Sequence, residues 1–350
     1  MNVAELREAV RAGGLLGDDR PVVALLSGGR DSVCLLDVAI ALRGGRAVRA
    51  LHVNYGLREA ADEDQRHCAR LCEQLGVELS LQRAGPAPGS SAAVGLADED
   101  PGSPAAHSQP GNLQAWARAL RYDAARRLAE RSKIGQRDAS IATGHTASDQ
   151  VETILYRLAA SPGRRALLGM APVEGRVVRP LLGVTREQTA AYCRERGLSW
   201  REDASNEDER YARVRVRHRL VPALRAVHPA AESNVLRTAL LLREETELLQ
   251  ALVDAELGGA REIAIARLSE LPPALARLVV VRLAEDAAQT YVPQAGERVG
   301  ELLALGSRGG RAELHLGRFV AAAIEDGVVS MRRLAPSETS ERRRTPPGGD

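Results

Sequence analysis

The first half of the chain alternates between short apolar runs and longer segments with helical periodicity. Runs typical of buried strands occupy residues 21–26, 48–53, 77–81, 139–143 and 177–182. Helical patterns occupy residues 62–75, 112–130 and 148–159, and another follows the run at 21–26, where Val33, Leu36 and Ile40 share one face. Strands and helices in this alternation predict an α/β fold, in which helices flank a parallel, Rossmann-like sheet.

The second half of the chain has a different pattern. Beyond about residue 205 the signals are almost wholly helical, until short apolar stretches return at residues 312–329. We therefore predict an α/β domain over residues 1–205 and a smaller, mostly helical domain over residues 206–333. Residues 85–111 are rich in Gly, Pro, Ala and Ser, which predicts a flexible surface insertion, and residues 334–350 are expected to be a disordered tail.

Composition places the chain among cytoplasmic proteins. Its 350 residues are 44% hydrophobic, yet no apolar run approaches the roughly 18 residues of a membrane helix, so we expect no membrane partner. The four cysteines form no C-x-x-C pair, which favours reduced thiols over a disulfide framework or a zinc site. The net charge of +2 does not by itself indicate nucleic-acid binding.

The segment Ser27-Gly28-Gly29-Arg30-Asp31-Ser32 forms the turn between the first strand and the first helix of the α/β pattern. Two glycines allow a backbone that approaches a ligand closely, and the following helix start adds unpaired N–H groups and the positive end of its dipole. A lone S-G-G would more often be a helix cap. The full hexapeptide between a strand and a helix predicts a phosphate-binding loop instead.

A second polar segment starts at Gly144 and His145, between the strand at 139–143 and the next helix. Asp149 and Glu152 are three residues apart and share a helix face, so two carboxylates can face one site, as a divalent cation requires. Taken alone, these acids would be read as partners of the helix dipole, with Ser148 as the N-cap.

Together the two segments resemble the PP-loop (N-type) ATP pyrophosphatases, and the second resembles the H-x-x-D-D-Q-x-E-T motif of one family, the tRNA(Ile)-lysidine synthetases. Further segments resemble this family in the same order; they begin at His52, Ala117, Arg179, Trp200 and Arg213. The resemblance covers about residues 20–230 and, more weakly, 230–332. It identifies residues 1–205 as the catalytic domain and residues 206–333 as a domain for tRNA and substrate binding.

The resemblance implies an ATP-dependent ligase that modifies the wobble cytidine of an isoleucine tRNA with a CAU anticodon. ATP would adenylate the base at C2 with loss of pyrophosphate, and the ε-amine of free L-lysine would then displace AMP to give lysidine. The residues implied to bind ATP are Ser27, Gly28, Gly29, Arg30, Asp31, Ser32, His52 and Gly144. The residues implied in catalysis are Asp31, Arg118, His145, Asp149 and Glu152. Mg²⁺ would bind Asp31 and Asp149.

Contact with tRNA is predicted at Arg213, Arg215 and Arg217, because arginines cluster there. The periodicity fits an amphipathic strand as well as a helix, which Pro222 would disturb. As a helix, the segment would present arginines to the catalytic domain on one face and to tRNA on another. A homodimer is compatible with the sequence.

The chain departs from the family pattern at three places. Ser148 replaces the first acid of D-D-Q, Tyr55 replaces a histidine, and residues 160–163 replace a loop that contains Arg-Gly. Ser148 is expected to leave one carboxylate fewer at the metal. Two other functions stay open at this point: a tRNA thiolase of the same fold, which needs a sulfur-carrying cysteine, and a nucleotide- or RNA-binding protein that has lost catalysis.

Overall fold

A computed structural model describes residues 1–17, 20–57, 60–85, 113–132, 138–161, 163–202, 211–317 and 320–334. The chain divides into two compact units, Met1–Leu242 and Arg243–Asp350. The boundary predicted after residue 205 lies inside the first unit, in a stretch outside the described residues, and so does most of the predicted insertion. The predicted division of roles between domains therefore stays a prediction.

The first unit is built on a six-stranded sheet with the order β3-β2-β1-β4-β6-β5, in which only β5 runs antiparallel to its neighbour. The strands are β1 (Val22–Leu25), β2 (Val48–Asn54), β3 (Glu78–Arg83), β4 (Ser140–Ala142), β5 (Val173–Glu174) and β6 (Val177–Val178). In register, Val22 pairs with Val48 of β2 on one side and with Ser140 of β4 on the other. The predicted parallel sheet is confirmed.

Among the described residues, ten α-helices begin in this unit. They are α1 (Val3–Ala12), α2 (Arg30–Arg43), α3 (Ala61–Leu75), α4 (Leu113–Arg131), α5 (Ala147–Ala160), α6 (Arg164–Leu167), α7 (Arg186–Glu195), α8 (Ala212–Arg215), α9 (Val221–Val227) and α10 (Ala231–Leu257), which continues past Leu242. Helix α3 ends at Gly76, which has φ of +63°, and Thr185 and Gln188 form a capping box at the start of α7.

The central strand is buried on both faces, as a parallel strand between helical layers requires. Val22 and Ala24 belong to the core on the α2 side, whereas Val23 and Leu25 belong to the core on the α4 side. The sheet is therefore a rigid platform, and the loops at its carboxyl edge are held by two packed layers.

One local prediction is wrong in its extent. The strand predicted over residues 177–182 ends at Val178, because Pro180 has no N–H to continue a ladder, and the backbone N–H of Arg179 donates to the carbonyl of Pro172. Helix α5 is capped by Thr146, so the alternative reading of Ser148 as the N-cap does not hold.

The arginine-rich segment, for which the sequence left strand and helix open, is helical. Helices α8 and α9 are joined by a π-helical turn, Val216–Leu220, so one continuous helical path runs from Ala212 to Val227. Pro222 lacks the N–H that would bond four residues back, and a widened turn before it accommodates its ring. π-Helical turns are found frequently at functional sites.

The second unit combines helices with a small antiparallel sheet. Its helices are α11 (Ile265–Glu270), α12 (Pro273–Ala288) and α13 (Val299–Gly306), and its strands are β7 (Glu262–Ala264), β8 (Ala312–Gly317), β9 (Val320–Glu325) and β10 (Val328–Arg333), in the order β7-β10-β9-β8. The apolar stretches at residues 312–329 are thus strands. None of the described helices has the length and apolar character that crossing a membrane requires.

A buried ion-pair network joins α1, α2 and α7. Asp37, which is 3% exposed, accepts hydrogen bonds from Arg7 at 3.0 Å, Arg196 at 3.1 Å and the Tyr192 hydroxyl at 2.5 Å. Burial alone would raise the pKa of Asp37, but these donors hold it below its ordinary value. Removal of one partner of a buried charge pair is strongly destabilising because the other charges stay behind.

We expect Asp37→Asn to reduce the free energy of unfolding by about 3 kcal/mol at pH 7. A lowered folded-state pKa stabilises the fold above the unfolded value of about 3.9 and stops doing so as pH falls through the lowered pKa, so the difference from wild type should shrink in acid. Urea unfolding at pH 7 and near pH 3 measures both effects. Asp123→Asn is the control, because its ion pair with Arg127 is exposed and should contribute less than about 1 kcal/mol.

Candidate active site

The loop between β1 and α2 is organised around the hydroxyl of Ser32. Ser32 Oγ donates to the carbonyl of Gly29 at 2.7 Å and accepts from the backbone N–H of Ser27 at 3.1 Å. Gly28 has φ of +86°, which favours glycine, and its carbonyl accepts from the backbone N–H of Arg201 at 2.9 Å. The loop is therefore fixed from both sides, while the first N–H groups of α2 have no partner within the helix and suit an anion.

The loop between β4 and α5 lies directly against this first loop. A Cβ on Gly144 would be 3.0 Å from the carbonyl group of Asp31 and 3.1 Å from the backbone nitrogen of Ser32, so the approach requires glycine. Strands β1 and β4 are neighbours, and the chain continues from β1 to β2 on the opposite side. The two loops thus meet where the strand order reverses, the usual ligand position in such sheets.

Asp149 has a different set of partners for each carboxylate oxygen. Oδ2 accepts from the backbone N–H and the hydroxyl of Thr146, both at 2.8 Å, and completes the capping box of α5. Oδ1 accepts from Arg186 at 3.1 Å and from Arg213 at 3.0 Å. Helix capping therefore accounts for only one of the two oxygens.

Three guanidinium groups surround the second acid of α5. Glu152 is 2% exposed, and its two oxygens accept from Arg186 at 3.1 Å, from Arg213 at 3.2 Å and from Arg217 at 2.7 and 3.1 Å. We call these five side chains, Asp149, Glu152, Arg186, Arg213 and Arg217, the acid–arginine cluster. It ties α5 to α7 and to the π-helical segment.

Asp31 is linked to this cluster through α7. Thr189 Oγ1 donates to Asp31 Oδ1 at 2.5 Å, and Arg186 Nε lies 3.8 Å from Asp31 Oδ2. Burial raises the pKa of Asp31, and the negative charge of Asp149 adds to the increase, although Thr189 and Arg30 oppose it. The two acids are therefore close enough for each carboxylate to disfavour the charge on the other.

The pKa of Asp149 shifts in the opposite direction to that of Asp31, because the cationic neighbours of Asp149 are closer. Burial would raise the pKa of Asp149, but Arg213 and Arg186 outweigh it and hold the pKa below its ordinary value. Asp149 is therefore a carboxylate at neutral pH. Asp31 and Asp149 together offer the hard, anionic oxygens that a divalent cation prefers.

His145 is a neutral imidazole at physiological pH. Burial lowers its pKa to about 4, even though Asp149 acts in the opposite direction. Its Nδ1 lies 2.8 Å from the hydroxyl of Thr143. A neutral ring that holds no second proton can accept a hydrogen bond but is a weak base.

The loops enclose one cavity of about 710 Å³. The predicted site residues that line it are Ser27, Gly29, Arg30, Asp31, Ser32, Gly144, His145, Asp149 and Arg217. Other lining residues were not assigned to the site from the sequence, although Arg121, Tyr122, Trp200 and Arg201 lie in segments that resemble the family: they are Arg121, Tyr122, Arg186, Trp200 and Arg201. The buried Nε of Arg121 has no hydrogen-bond partner within the described residues, so this wall offers a donor to a ligand.

Several predicted residues lie outside the lining of the cavity. His52 is buried beneath the loop, where its Nδ1 is 2.9 Å from the carbonyl of Leu26, and burial lowers its pKa. Arg118 is exposed and lies over the ring of Tyr122, 4.8 Å from its centroid. Glu152 lies behind Asp149 in the acid–arginine cluster, and Arg215 is exposed on the opposite face of its helix from Val214 and Val216.

Comparison with known proteins decides the family. Residues 4–224 match the PP-loop domain. The tRNA(Ile)-lysidine synthase of Salinispora tropica is 35% identical over 315 residues, which cover 87% of this chain and 88% of that protein. The chain belongs to the tRNA(Ile)-lysidine synthase family of PP-loop proteins. The resemblance seen in the sequence is thereby confirmed.

Other members of the family are longer than this chain. The tRNA(Ile)-lysidine synthase of Pseudomonas fluorescens is 36% identical over 238 residues, which cover 66% of this chain and 48% of that protein. The chain thus spans about half the length of this relative and of several others that it matches.

A solved structure shares the fold at low sequence identity. It is the U34-tRNA thiolase NcsA from Methanococcus maripaludis with its 4Fe–4S cluster, with a TM-score of 0.50 and 16% identity over 69% of this chain and 78% of that one. In this lysidine synthase family member all four cysteines are buried and free. Burial raises the pKa of Cys68 to about 12 and of Cys72 to about 11, which disfavours a sulfur-carrying thiolate.

Ser148, where the family motif has an acid, does not line the cavity. Its Oγ accepts from the backbone N–H of Arg186, the first residue of α7, at 3.2 Å. The side chain at this position therefore faces α7, and a serine there does not remove an oxygen from the Asp31–Asp149 pair.

Proposed function

We propose that this chain is an ATP-dependent ligase that joins free L-lysine to C2 of the wobble cytidine in isoleucine tRNA with a CAU anticodon. The observation that carries the proposal is the shared cavity: the phosphate-binding loop and the Asp149 end of the acid–arginine cluster line it together, in a chain that belongs to the tRNA(Ile)-lysidine synthase family. The products would be lysidine, AMP and pyrophosphate.

In the first step, the C2 oxygen of cytidine would attack the α-phosphorus of ATP, and the bond to pyrophosphate would break. The backbone N–H groups at the start of α2, with Ser27 and Ser32, would hold the leaving pyrophosphate. Arg30 and Arg217 line the same cavity and would balance its negative charge. Lys133, the only lysine of the chain, lies outside the described residues.

Mg²⁺ fits the chemistry of the donors. No group of three or more His, Cys, Asp and Glu side chains within the described residues is arranged to hold a metal ion. Asp31 and Asp149 supply two carboxylates, however, and magnesium in nucleotide sites commonly takes one or two carboxylates, with phosphate oxygens and water completing its shell. When bound there, it would neutralise charge that develops on the phosphates.

In the second step, the ε-nitrogen of lysine would attack C2, and AMP would leave with the former base oxygen. An ordinary lysine amine has a pKa of about 10.4, so it must shed a proton before it attacks. His145 is neutral and lines the cavity, and would accept a hydrogen bond from this amine rather than remove its proton. Glu152 lies behind Asp149 and would act by holding the guanidinium groups of Arg186, Arg213 and Arg217 in place.

The proposed role of Arg118 follows from its exposed position beside the cavity. Arg118 is exposed next to Tyr122, which lines the cavity, so it would contact the RNA at the entrance. The reaction would take place in the cytoplasm with its tRNA, and the proposal is compatible with a homodimer.

The deciding experiment is incubation of the protein with ATP, radiolabelled lysine and a transcript of isoleucine tRNA with a CAU anticodon. We expect label in the RNA together with equimolar AMP and pyrophosphate. Methionine tRNA, which has the same anticodon, is the control and should remain unlabelled. A mass gain that corresponds to sulfur, or ATP consumption without label in RNA, would contradict the proposal.

The position of Arg215 leads to a separate prediction about tRNA affinity. Arg213 and Arg217 reach the acid–arginine cluster, whereas Arg215 is exposed on another face of the helix. Arg215→Gln should lower the slope of log K against log salt by about 1, whereas Arg213→Gln should change it less because its guanidinium faces the cluster rather than the RNA. Filter binding at several salt concentrations measures the slopes, and equal slopes for all variants would place the RNA contact elsewhere.

A further inference from the structure

Arg186 bridges all three acids of the site. Its guanidinium lies 3.1 Å from Asp149 Oδ1, 3.1 Å from Glu152 Oε1 and 3.8 Å from Asp31 Oδ2. In the part of the chain that the structure describes, Arg213 and Arg217 pair with Asp149 and Glu152 but not with Asp31. Arg186 is therefore the cation that lies against both carboxylates of the candidate cation site.

The position of Arg186 is not explained by helix formation. It is the first residue of α7, where the positive end of the helix dipole disfavours a cation. Its backbone N–H is fixed by Ser148 Oγ, and its side chain is four-fifths buried. The attraction of the acids therefore outweighs an unfavourable helix position and the cost of burial.

The charges in the site are already compensated. Three carboxylates, those of Asp31, Asp149 and Glu152, face four guanidinium groups, because Arg30 Nε also lies 3.4 Å from Asp31 Oδ1. A divalent cation at Asp31 and Asp149 would add two further positive charges next to Arg186, which is unfavourable in a buried site. The phosphates of a nucleotide would supply the missing negative charge, and Arg186 lines the same cavity as the phosphate-binding loop.

We propose that Arg186 is an internal counter-ion that keeps the cation site closed in the empty protein and transfers to the phosphates when the nucleotide binds. The divalent cation would then bind only together with ATP. This inference rests on the proposed use of ATP, but it does not depend on lysine or tRNA. By linkage, Arg186 would weaken cation binding in the empty protein and strengthen the coupling between cation and nucleotide.

The test is titration of the full-length, nucleotide-free protein with Mn²⁺, followed by the electron paramagnetic resonance signal of free Mn²⁺. Wild type should bind Mn²⁺ weakly, and a non-hydrolysable ATP analogue should tighten that binding. Arg186→Gln should bind Mn²⁺ about tenfold or more tightly without nucleotide, and the analogue should produce a smaller further gain. Arg186→Lys, which keeps the charge, should resemble wild type in the empty protein.

Arg213→Gln is the matched control, since it also removes a cation from Asp149 and Glu152 but none from Asp31. Its gain in Mn²⁺ affinity should be clearly smaller than that of Arg186→Gln. In the double variant Asp31→Asn with Arg186→Gln, the gain should disappear. Equal Mn²⁺ affinity of wild type and Arg186→Gln, in protein with a wild-type circular dichroism spectrum, would overturn the proposal, and so would equal gains in the two glutamine variants.

The two proposals fail in different ways. If lysine is not joined to RNA but Mn²⁺ and the analogue remain coupled through Arg186, the proposed substrate is wrong and the counter-ion role stands. If lysine is joined to RNA while Arg186→Gln leaves Mn²⁺ binding unchanged, the function stands and the counter-ion role is wrong.

Discussion

Asp31→Asn and Asp149→Asn are each expected to reduce tRNA-dependent release of pyrophosphate from ATP by at least about a hundredfold. Each substitution removes a negative charge from the pair of carboxylates where the two loops meet. Asp31→Asn leaves the hydrogen bond from Thr189 available to the amide oxygen, so the local structure should persist. Asp149→Asn keeps an acceptor for the capping box of α5.

A coupled pyrophosphate assay measures both variants, and circular dichroism with thermal unfolding verifies the fold. Glu63→Gln serves as the control, because Glu63 is an exposed acid that pairs with Arg201 outside the carboxylate pair. Its activity should stay within about twofold of wild type. Turnover near the wild-type level in both aspartate variants would show that neither carboxylate takes part in phosphoryl chemistry.

The sheet and the two loops that line the cavity could be predicted because their signals are local. A buried strand, two glycines and a helix start are contiguous in the predicted phosphate-binding loop, and the Asp149–Glu152 spacing fixes a shared helix face. The adjacency of the two loops follows from the sheet order, which places β1 between β2 and β4. Gly144 then has a structural role that no local pattern shows, since its constraint comes from the backbone of Asp31.

The contribution of α7 could not be predicted because it depends on a long-range contact. Thr189 and Arg186 reach Asp31 across more than 150 residues of sequence, and only the packing of α7 against α2 brings them together. One signal was present: an arginine directly after the capping residue Thr185, at a helix end that disfavours cations. Such a residue invites a search for acids elsewhere in the fold.

The role of the arginine-rich segment was only partly accessible from the sequence. The sequence indicated that a helix here would carry arginines on two faces, but the π-helical turn that presents Arg217 to Glu152 depends on how Pro222 is accommodated.

His52 lies away from the cavity, although the sequence suggested a place in the site. Its place in a family segment suggested a ligand contact, yet the alternation of β2 turns it towards Leu26 and Cys68, while Leu51 and Val53 line the cavity.

Replacing lysine by norleucine should allow adenylation of the base and stop the reaction before AMP is released. Norleucine keeps the aliphatic chain and both α-groups but lacks the ε-nitrogen that must attack C2. In a single turnover, pyrophosphate should be released at its normal rate, whereas adenylated RNA should accumulate and free AMP should fall by at least about a hundredfold. Full AMP release with norleucine, in the absence of lysine, would show that water or another nucleophile completes the reaction.

The pH dependence of the lysine step identifies the group that loses the proton. Because burial lowers the pKa of His145 to about 4, its protonation does not change between pH 6 and 8. The rate at subsaturating lysine should therefore follow the free amine alone and rise about tenfold per pH unit in this range. His145→Gln should lower the rate, since a hydrogen-bond acceptor of different geometry replaces the ring, but it should leave the slope unchanged. A plateau above pH 7 that is lost in His145→Gln would instead make His145 the base.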